Sequence, residues 1–131
     1  MKVAFATQDL KQVNAHFGWA QNILIYELSE THCQLAQHVH YEGALEEDGN
    51  EDKLTPRIEA IQDCALLYVA AIGGSAAARV IAHKIHPVKV AESETIAQVL
   101  EKLQQVLRTT PPPWLRKALL KGREVAVNFD E

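Results

Sequence analysis

The residue whose side chain is best suited to functional chemistry is His16. It lies in the sequence Asn14-Ala15-His16-Phe17-Gly18 at the end of a polar loop. A neutral imidazole nitrogen is a natural ligand for iron. We predict that Phe17 anchors the loop in the core and that Gly18 permits an unusual backbone turn, so that the imidazole points outward at a sheet edge. One histidine does not make a metal site, and an ordinary loop histidine fits the local sequence as well.

A second candidate is the run Gly73-Gly74-Ser75, between a predicted strand and a predicted helix. Free backbone N–H groups at a helix start attract anions, and α/β folds bind ligands at the carboxyl ends of parallel strands. The run lacks the lysine of a Walker loop and the third glycine of a dinucleotide fingerprint, which argues against a nucleotide. Tight packing of the helix on the strand explains the glycines equally well.

The two cysteines and the remaining histidines carry weaker signals. Cys33 and Cys64 lie far apart without CxxC spacing, which excludes the usual zinc-finger and ferredoxin patterns and favours free thiols. Cys33 alternates with apolar residues, so we expect it to be buried, although a thiol at a sheet edge can ligate iron. His38 and His40 form an HxH pair that can chelate a metal, but a solvated strand face explains them too.

Composition narrows the class of protein. The 131 residues suit one domain, and the net charge of −4 argues against nucleic acid, which requires clustered lysine and arginine. No apolar run approaches the length of a membrane span. The opening MKVAFAT lacks the long apolar stretch and cleavage site of a signal peptide. We therefore expect a cytoplasmic protein without nucleic-acid or membrane partners.

Hydrophobic periodicity predicts an α/β fold in the order βββαβαβα, with a mixed five-stranded sheet covered by helices. We predict a helix whose cap is Thr55, with Asn50 as the alternative cap that would place Pro56 inside the helix. We also predict a helix after the cap Ser93 and a third helix over residues 76–84. Alternation along the third strand places Cys33, Leu35 and Val39 on one face, opposite His38 and His40. The predicted strands are 2–7, 22–28, 31–40, 64–72 and 87–91.

The C-terminal part is predicted to lie outside the main domain. TTPPP at residues 109–113 predicts a linker, so that residues 1–108 form the α/β domain and residues 109–131 form a linker, a short amphipathic helix over 114–121 and a tail. Trp114, Leu115, Ala118 and Leu119 either pack back on the core or dock on a partner. General preference for burying apolar surface favours the first outcome.

Catalytic residues are not apparent. The mixed strand order is similar to the ribonuclease H-like architecture, whose nuclease chemistry requires carboxylates on the first and central strands to hold Mg²⁺. Here these strands have the sequences KVAFAT and CALLYVAAI, without an acid, and the chain has no GxSxG motif. We therefore predict that the protein is not an enzyme.

Several segments together resemble one family. They are KVAFAT, NAHFG, DGNEDKL, and CALLYVAAIGGSAAARVI followed by HPVKV, and they span residues 1 to about 107. In this order and spacing they are similar to the NifX / NafY core / NifB C-terminal family of nitrogenase-cofactor carriers. The short length is most similar to the NifX members of that family.

The resemblance implies a ribonuclease H-like fold that binds an iron–sulfur precursor of the iron–molybdenum cofactor, of the NifB-cofactor type, or that cofactor itself. It implies transfer between a NifB-type cofactor synthase and a NifEN-type scaffold, and it assigns cluster binding to His16, the histidine of the HFG motif. We take Asn14, Phe17, Gly18 and Gly73-Gly74-Ser75 as its neighbours, and Cys33 as a second metal ligand. The alternative is a non-catalytic regulatory or interaction module of nitrogenase assembly, as a monomer or weak dimer.

Overall fold

The computed structural model describes residues 1–41, 54–90 and 94–127 and contains a five-stranded sheet with four helices. The strands are β1 (Lys2–Thr7), β2 (Asn22–Leu28), β3 (Cys33–His40), β4 (Leu66–Val69) and β5 (His86–Lys89). The helices are α1 (Leu54–Ala60), α2 (Gly74–Ala82), α3 (Ile96–Leu107) and α4 (Pro113–Val127). The predicted α/β class and mixed five-stranded sheet are confirmed.

The sheet has the strand order β3-β2-β1-β4-β5. β1, β2 and β3 form an antiparallel meander, in which Ser29 N–H donates to the carbonyl of His32 at 2.8 Å in the second turn. β4 pairs in parallel with β1, and β5 pairs in parallel with β4. Parallel strands need a crossover connection, and α1 precedes β4 while α2 precedes β5 in the chain. The carboxyl ends of β1, β4 and β5 therefore share one edge of the sheet.

Two apolar layers cover the sheet because successive side chains of a strand point to opposite faces. Ala4 and Ala6 face the layer that includes Ile58 of α1 and Val80 of α2. Val3 and Phe5 face the layer that contains α3 and α4. The structure thus places helices on both faces of the sheet.

The central strand is shorter than its apolar run suggests. We predicted a strand over residues 64–72, whereas β4 covers Leu66–Val69, preceded by the buried thiol of Cys64. Beyond β4, Ala70 N–H donates to Ala15 and the carbonyl of Ala71 accepts from Phe17. The chain leaves the regular ladder here because it pairs with the loop that carries His16.

The predicted alternation along β3 is wrong because β3 contains a β-bulge opposite the step between Ile25 and Tyr26. Ala36 is the extra residue, and it moves every later residue to the other face. Cys33 therefore shares a face with His38 and His40, and Val39 lies opposite. The prediction that Cys33 is buried is also wrong, since its side chain is exposed at the edge of the sheet. The flanking pairs are Leu35 with Tyr26 and Gln37 with Ile25.

The starts of α1 and α3 differ from the predicted caps. α1 begins at Leu54, so Thr55 is not its cap and Pro56 lies in the first turn, where backbone N–H groups have no helical partner. α3 is capped by Thr95, whose hydroxyl accepts from Gln98 N–H at 3.1 Å, while Gln98 Oε1 accepts from Thr95 N–H at 3.0 Å. Of the two candidate caps Ser93 and Thr95, only Thr95 has a glutamine three residues later, as this capping box requires.

Other predicted boundaries also shift. α2 runs from Gly74 to Ala82 instead of over 76–84, with Gly73 as its cap, and β5 runs from His86 to Lys89. The motif DGNEDKL, except for its last residue Leu54, and the predicted cap Ser93 lie outside the described residues. None of the helices within the described residues combines the length and the hydropathy of a membrane-spanning segment.

α4 packs on the sheet. Leu115 is 1% exposed and Ala118 is 9% exposed, and both belong to the layer of Phe5 and α3. Trp114 remains 42% exposed and stacks on His86, with ring centroids 4.8 Å apart. The helix is longer than the predicted segment 114–121, and its N-terminal part packs back on the core, as the more favoured alternative stated.

The end of α2 yields a stability prediction. Lys84 has φ 63°, and the N–H groups of Lys84 and Ile85 donate to the carbonyls of Ile81 and Val80, as in a Schellman cap, where glycine is usual. Lys84→Gly should remove about 1–2 kcal/mol of strain from the left-handed backbone of the folded chain. The glycine also raises the conformational entropy of the unfolded chain, which offsets part of this gain. We expect urea denaturation to show a net gain of about 0.5–1 kcal/mol in the free energy of unfolding. Lys84→Ala, which keeps the strain, should show no such gain.

Candidate functional site

The loop before His16 is held in place by its own side chains. Asp9 Oδ1 accepts from the backbone N–H groups of Gln12 and Lys11, each at 2.9 Å, and these bonds hold the pKa of Asp9 below its usual value. Asn14 Oδ1 accepts from Gln8 N–H at 2.9 Å. Asn14 is a predicted site residue, and its side-chain oxygen is therefore used to close the loop. Val13 N–H and the carbonyl of Lys11 also bond to the start of α3.

The loop returns to the sheet at His16, beside the extension of β4. His16 forms a parallel bridge with Ala71, and Phe17 N–H donates to the carbonyl of Ala71 at 2.9 Å. Phe17 is fully buried, as predicted for an anchor. Since Ala71 lies two residues before Gly73, the turn that carries His16 and the start of α2 lie at the same edge of the sheet.

The His16 ring is oriented by two contacts. Its Nδ1 accepts from Gly18 N–H at 3.1 Å, which caps the short 3₁₀ turn Phe17–Trp19. The indole of Trp19 stacks on the imidazole, with centroids 4.8 Å apart and planes 25° apart. Because Nδ1 accepts this hydrogen bond, the single N–H proton of the neutral ring lies on Nε2.

Burial lowers the pKa of His16, which keeps the ring neutral at pH 7 and allows Nδ1 to accept. The unfolded chain takes up this proton near the ordinary histidine pKa, and the folded chain does so only at lower pH. Stability should therefore fall as the pH falls through this interval. We expect an NMR titration of the His16 ring to give a midpoint below the ordinary value. A His16→Asn variant should lose this part of the pH dependence of unfolding; a midpoint at or above the ordinary value would contradict the prediction.

The glycines of the site have different roles from those predicted. Gly18 has no left-handed φ, so it does not provide an unusual turn; a Cβ there would lie 3.5 Å from Leu54 Cδ2 and 3.6 Å from the His16 ring. At Gly73 and Gly74 a Cβ would meet nothing within 4 Å. Neither tight packing nor backbone strain explains these two glycines. With Ser75 they form an exposed helix start.

Cys33 does not lie near His16. It pairs with Leu28, whose N–H donates to the carbonyl of Met1 at the end of the sheet where β1 begins, whereas His16 lies beyond the other end of β4. The two residues therefore cannot ligate the same iron atom. Within residues 1–41, 54–90 and 94–127, no three side chains of the types His, Cys, Asp and Glu converge on a metal site.

Sequence reasoning missed Trp19 as a member of the site. The indole is 41% exposed and forms an aromatic surface beside the imidazole. The available signal was the short spacing in the sequence HFGW, since a one-turn segment after a capping histidine brings the third residue back to the ring.

The structure is that of a mixed α/β protein with a histidine and an exposed helix start at the carboxyl ends of its parallel strands, the position where α/β folds bind ligands. The family described as "Dinitrogenase iron-molybdenum cofactor" matches residues 1–106. The chain belongs to this family, which confirms the resemblance inferred from the motifs and connects the chain with nitrogen fixation and iron–molybdenum cofactor biosynthesis.

Individual relatives agree with this assignment. Protein NifX of Herbaspirillum seropedicae is 60% identical over 131 residues, covering 100% of this chain and 90% of that protein. Protein NifX of Sinorhizobium fredii is 44% identical over 127 residues, covering 93% and 79%. The FeMo cofactor biosynthesis protein NifB of Bradyrhizobium diazoefficiens is 32% identical over 126 residues, covering 86% of this chain and 25% of that protein.

Proposed function

We propose that this protein binds and carries an iron–sulfur precursor of the iron–molybdenum cofactor, of the NifB-cofactor type, with the mature cofactor as a second cargo. It would receive the precursor from a NifB-type synthase and deliver it to a NifEN-type scaffold in the cytoplasm. Family membership supports the cargo class. The observation that carries the proposal is His16, a neutral imidazole fixed at the carboxyl edge of the sheet beside the start of α2.

The contacts of His16 suit reversible binding. With Nδ1 accepting from Gly18, the Nε2–H group can donate to a sulfide of the cargo. For Nε2 to ligate iron, the ring proton must move to Nδ1, and the Gly18 contact must break. Because of this cost, His16 would bind iron more weakly than a free imidazole does. Weak binding suits a carrier, which must later release its cargo.

The start of α2 provides a second attraction. Iron–sulfur precursors are anionic, and the exposed N–H groups at Gly73, Gly74 and Ser75 carry the partial positive charge of the helix start. Since a Cβ at either glycine would meet only open space, a large cargo can approach the backbone closely there. The chain carries a net charge of −4, so the attraction for an anionic cargo must come from local groups such as this helix start.

We further propose a ribonuclease H-like fold and a non-catalytic role. The sheet order β3-β2-β1-β4-β5 and its mixed directions support the fold. Neither β1 nor β4 carries a carboxylate for Mg²⁺, which supports a carrier in place of a nuclease.

The test is to mix the purified protein with NifB-type precursor without oxygen and to separate the complex from free precursor on a sizing column. We expect iron and visible absorbance to elute with the protein. A protein peak free of iron, from protein that melts cooperatively, would overturn the carrier function.

A second candidate function is that of an interaction module, favoured by the surface around Trp114. A groove of about 550 Å³ lies between α2, β5 and α4, at the end of the sheet opposite His16. Its described lining has an apolar part and a basic part but no acidic residue, which suits an acidic partner surface. The lining includes Ile81, Lys84, His86, Pro87, Trp114 and Lys117.

The two functions can be separated by charge reversal. Lys117→Glu should weaken binding to a NifEN-type scaffold and leave precursor binding unchanged. Arg116→Glu, a neighbouring exposed change outside the groove, is the matched control. Equal scaffold affinity of Lys117→Glu and the control would exclude the groove as the docking surface.

A further inference from the structure

His38 and His40 converge on one oxygen atom of Asn22. His38 Nε2 lies 2.9 Å and His40 Nδ1 lies 2.8 Å from Asn22 Oδ1. Asn22 Nδ2 lies 3.4 Å from the carbonyl of Gln8, which fixes the orientation of the amide and identifies Oδ1 as the acceptor. Both histidine nitrogens therefore carry protons, and both use the same carbonyl group.

The backbone explains why the three side chains meet. β3 pairs His40 with Asn22 and His38 with Leu24, so residues 22, 38 and 40 lie on one face of the sheet. The bulge at Ala36 lies just before this pair. His38 and His40 are exposed on the edge strand, whereas Asn22 is only 5% exposed.

Hydrogen bonding alone does not require this convergence. Water can satisfy both exposed imidazole N–H groups, and one donor is sufficient for the buried carbonyl oxygen. The arrangement instead gathers two nitrogens and one oxygen around a small volume, since both nitrogens lie within 3 Å of the same atom.

We propose that His38 Nε2, His40 Nδ1 and Asn22 Oδ1 bind one divalent transition-metal ion of the kind that prefers imidazole, such as Zn²⁺. Each ring proton moves to the other ring nitrogen, which leaves two lone pairs for the metal. Metal–ligand bonds of about 2.1 Å place the ligand atoms of one tetrahedral ion about 3.4 Å apart, so both rings must move outward from Asn22 Oδ1 by less than an ångström. Exposed side chains can make this movement. Water completes the coordination.

The supporting contacts of Asn22 also fit a metal site. Its Nδ2 is held by the carbonyl of Gln8, and Gln8 Oε1 accepts from Gln21 N–H at 2.7 Å. Partners of this kind orient a ligand before the ion arrives. The proposed site is independent of the cargo proposal, because it uses neither His16 nor the start of α2.

The test is calorimetric titration of the protein with Zn²⁺ alone, in a Cys33→Ser background that removes the exposed thiol. We expect one bound ion, with affinity lowered at least about ten-fold by His38→Gln and by His40→Gln separately. Asn22→Asp, which supplies a carboxylate, should raise the affinity. The controls are His32→Gln, an exposed histidine on the β2–β3 turn, and His16→Ala, and both should bind Zn²⁺ as the parent does.

Failure of the parent to bind Zn²⁺ overturns the site, and so does unchanged affinity in either His38→Gln or His40→Gln. Loss of Zn²⁺ binding in His16→Ala would show that the ion binds at the cargo site, and it would contradict a separate metal site at His38 and His40. A cooperative thermal unfolding transition in each variant shows that the variant is folded, so that a loss of Zn²⁺ binding does not result from unfolding.

Discussion

Replacing His16 with alanine is expected to lower the affinity for the NifB-type precursor at least about 100-fold, since removing even a residue that supports a metal ligand costs 10–100-fold. The imidazole is the one predicted iron ligand that the structure places at the edge of the sheet beside the start of α2. Anaerobic titration with precursor, followed by visible absorbance and bound iron, measures the change.

A matched pair of variants separates ligation from the local fold. His16→Asn keeps a side-chain oxygen that can accept from Gly18 N–H, as asparagine does at helix caps, but it supplies no imidazole. We expect His16→Asn and His16→Ala to lose binding equally, and His32→Ala to retain it. Parent-like affinity in His16→Asn would show that His16 acts through the turn and not as a contact to the cargo.

Replacing Leu115 with alanine is expected to lower the free energy of unfolding by about 2–5 kcal/mol, the range for a fully buried leucine. Leu115 is 1% exposed and packs in the layer formed by Phe5 and α3. Small domains have only about 5–15 kcal/mol of stability, so this one change removes a large share. Urea denaturation gives the difference through the transition midpoint.

The control lies in the same helix. Leu120 is 48% exposed, and Leu120→Ala should change the free energy of unfolding by less than about 0.5 kcal/mol. The pair also tests the predicted boundary at residue 108, because a domain complete without α4 would not depend on Leu115. Equal effects of the two substitutions would contradict the packing of α4.

Short-range patterns in the sequence predicted much of the fold. Hydrophobic periodicity predicted a strand over residues 2–7, and the structure buries Val3 and Phe5 on one of its faces and Ala4 and Ala6 on the other. Hydrophobic periodicity also predicted a helix after residue 93, and the structure has α3 there, whose inward positions are buried. These features depend on residues one to four positions apart, which is the range over which a backbone repeats.

Features that depend on a partner strand could not be predicted in this way. The bulge at Ala36 arises from the register of β3 against β2, and it reversed the expected face of Val39 relative to Cys33. The convergence of His38 and His40 on Asn22 likewise requires that register. Residues 22 and 40 are far apart in sequence, and no local pattern shows that they are paired.

The site divides in the same way. The sequence alone was sufficient to predict that His16 follows a loop, that Phe17 anchors this loop, and that the motifs belong to one family, because these properties reside in neighbouring residues. Three features became apparent from the folded structure: His16 pairs with Ala71, Trp19 stacks on the His16 ring, and Cys33 lies at the other end of the sheet. The physical reason is that the order and register of strands bring distant residues together through hydrogen bonds between chain segments, which leave no periodic mark in the sequence.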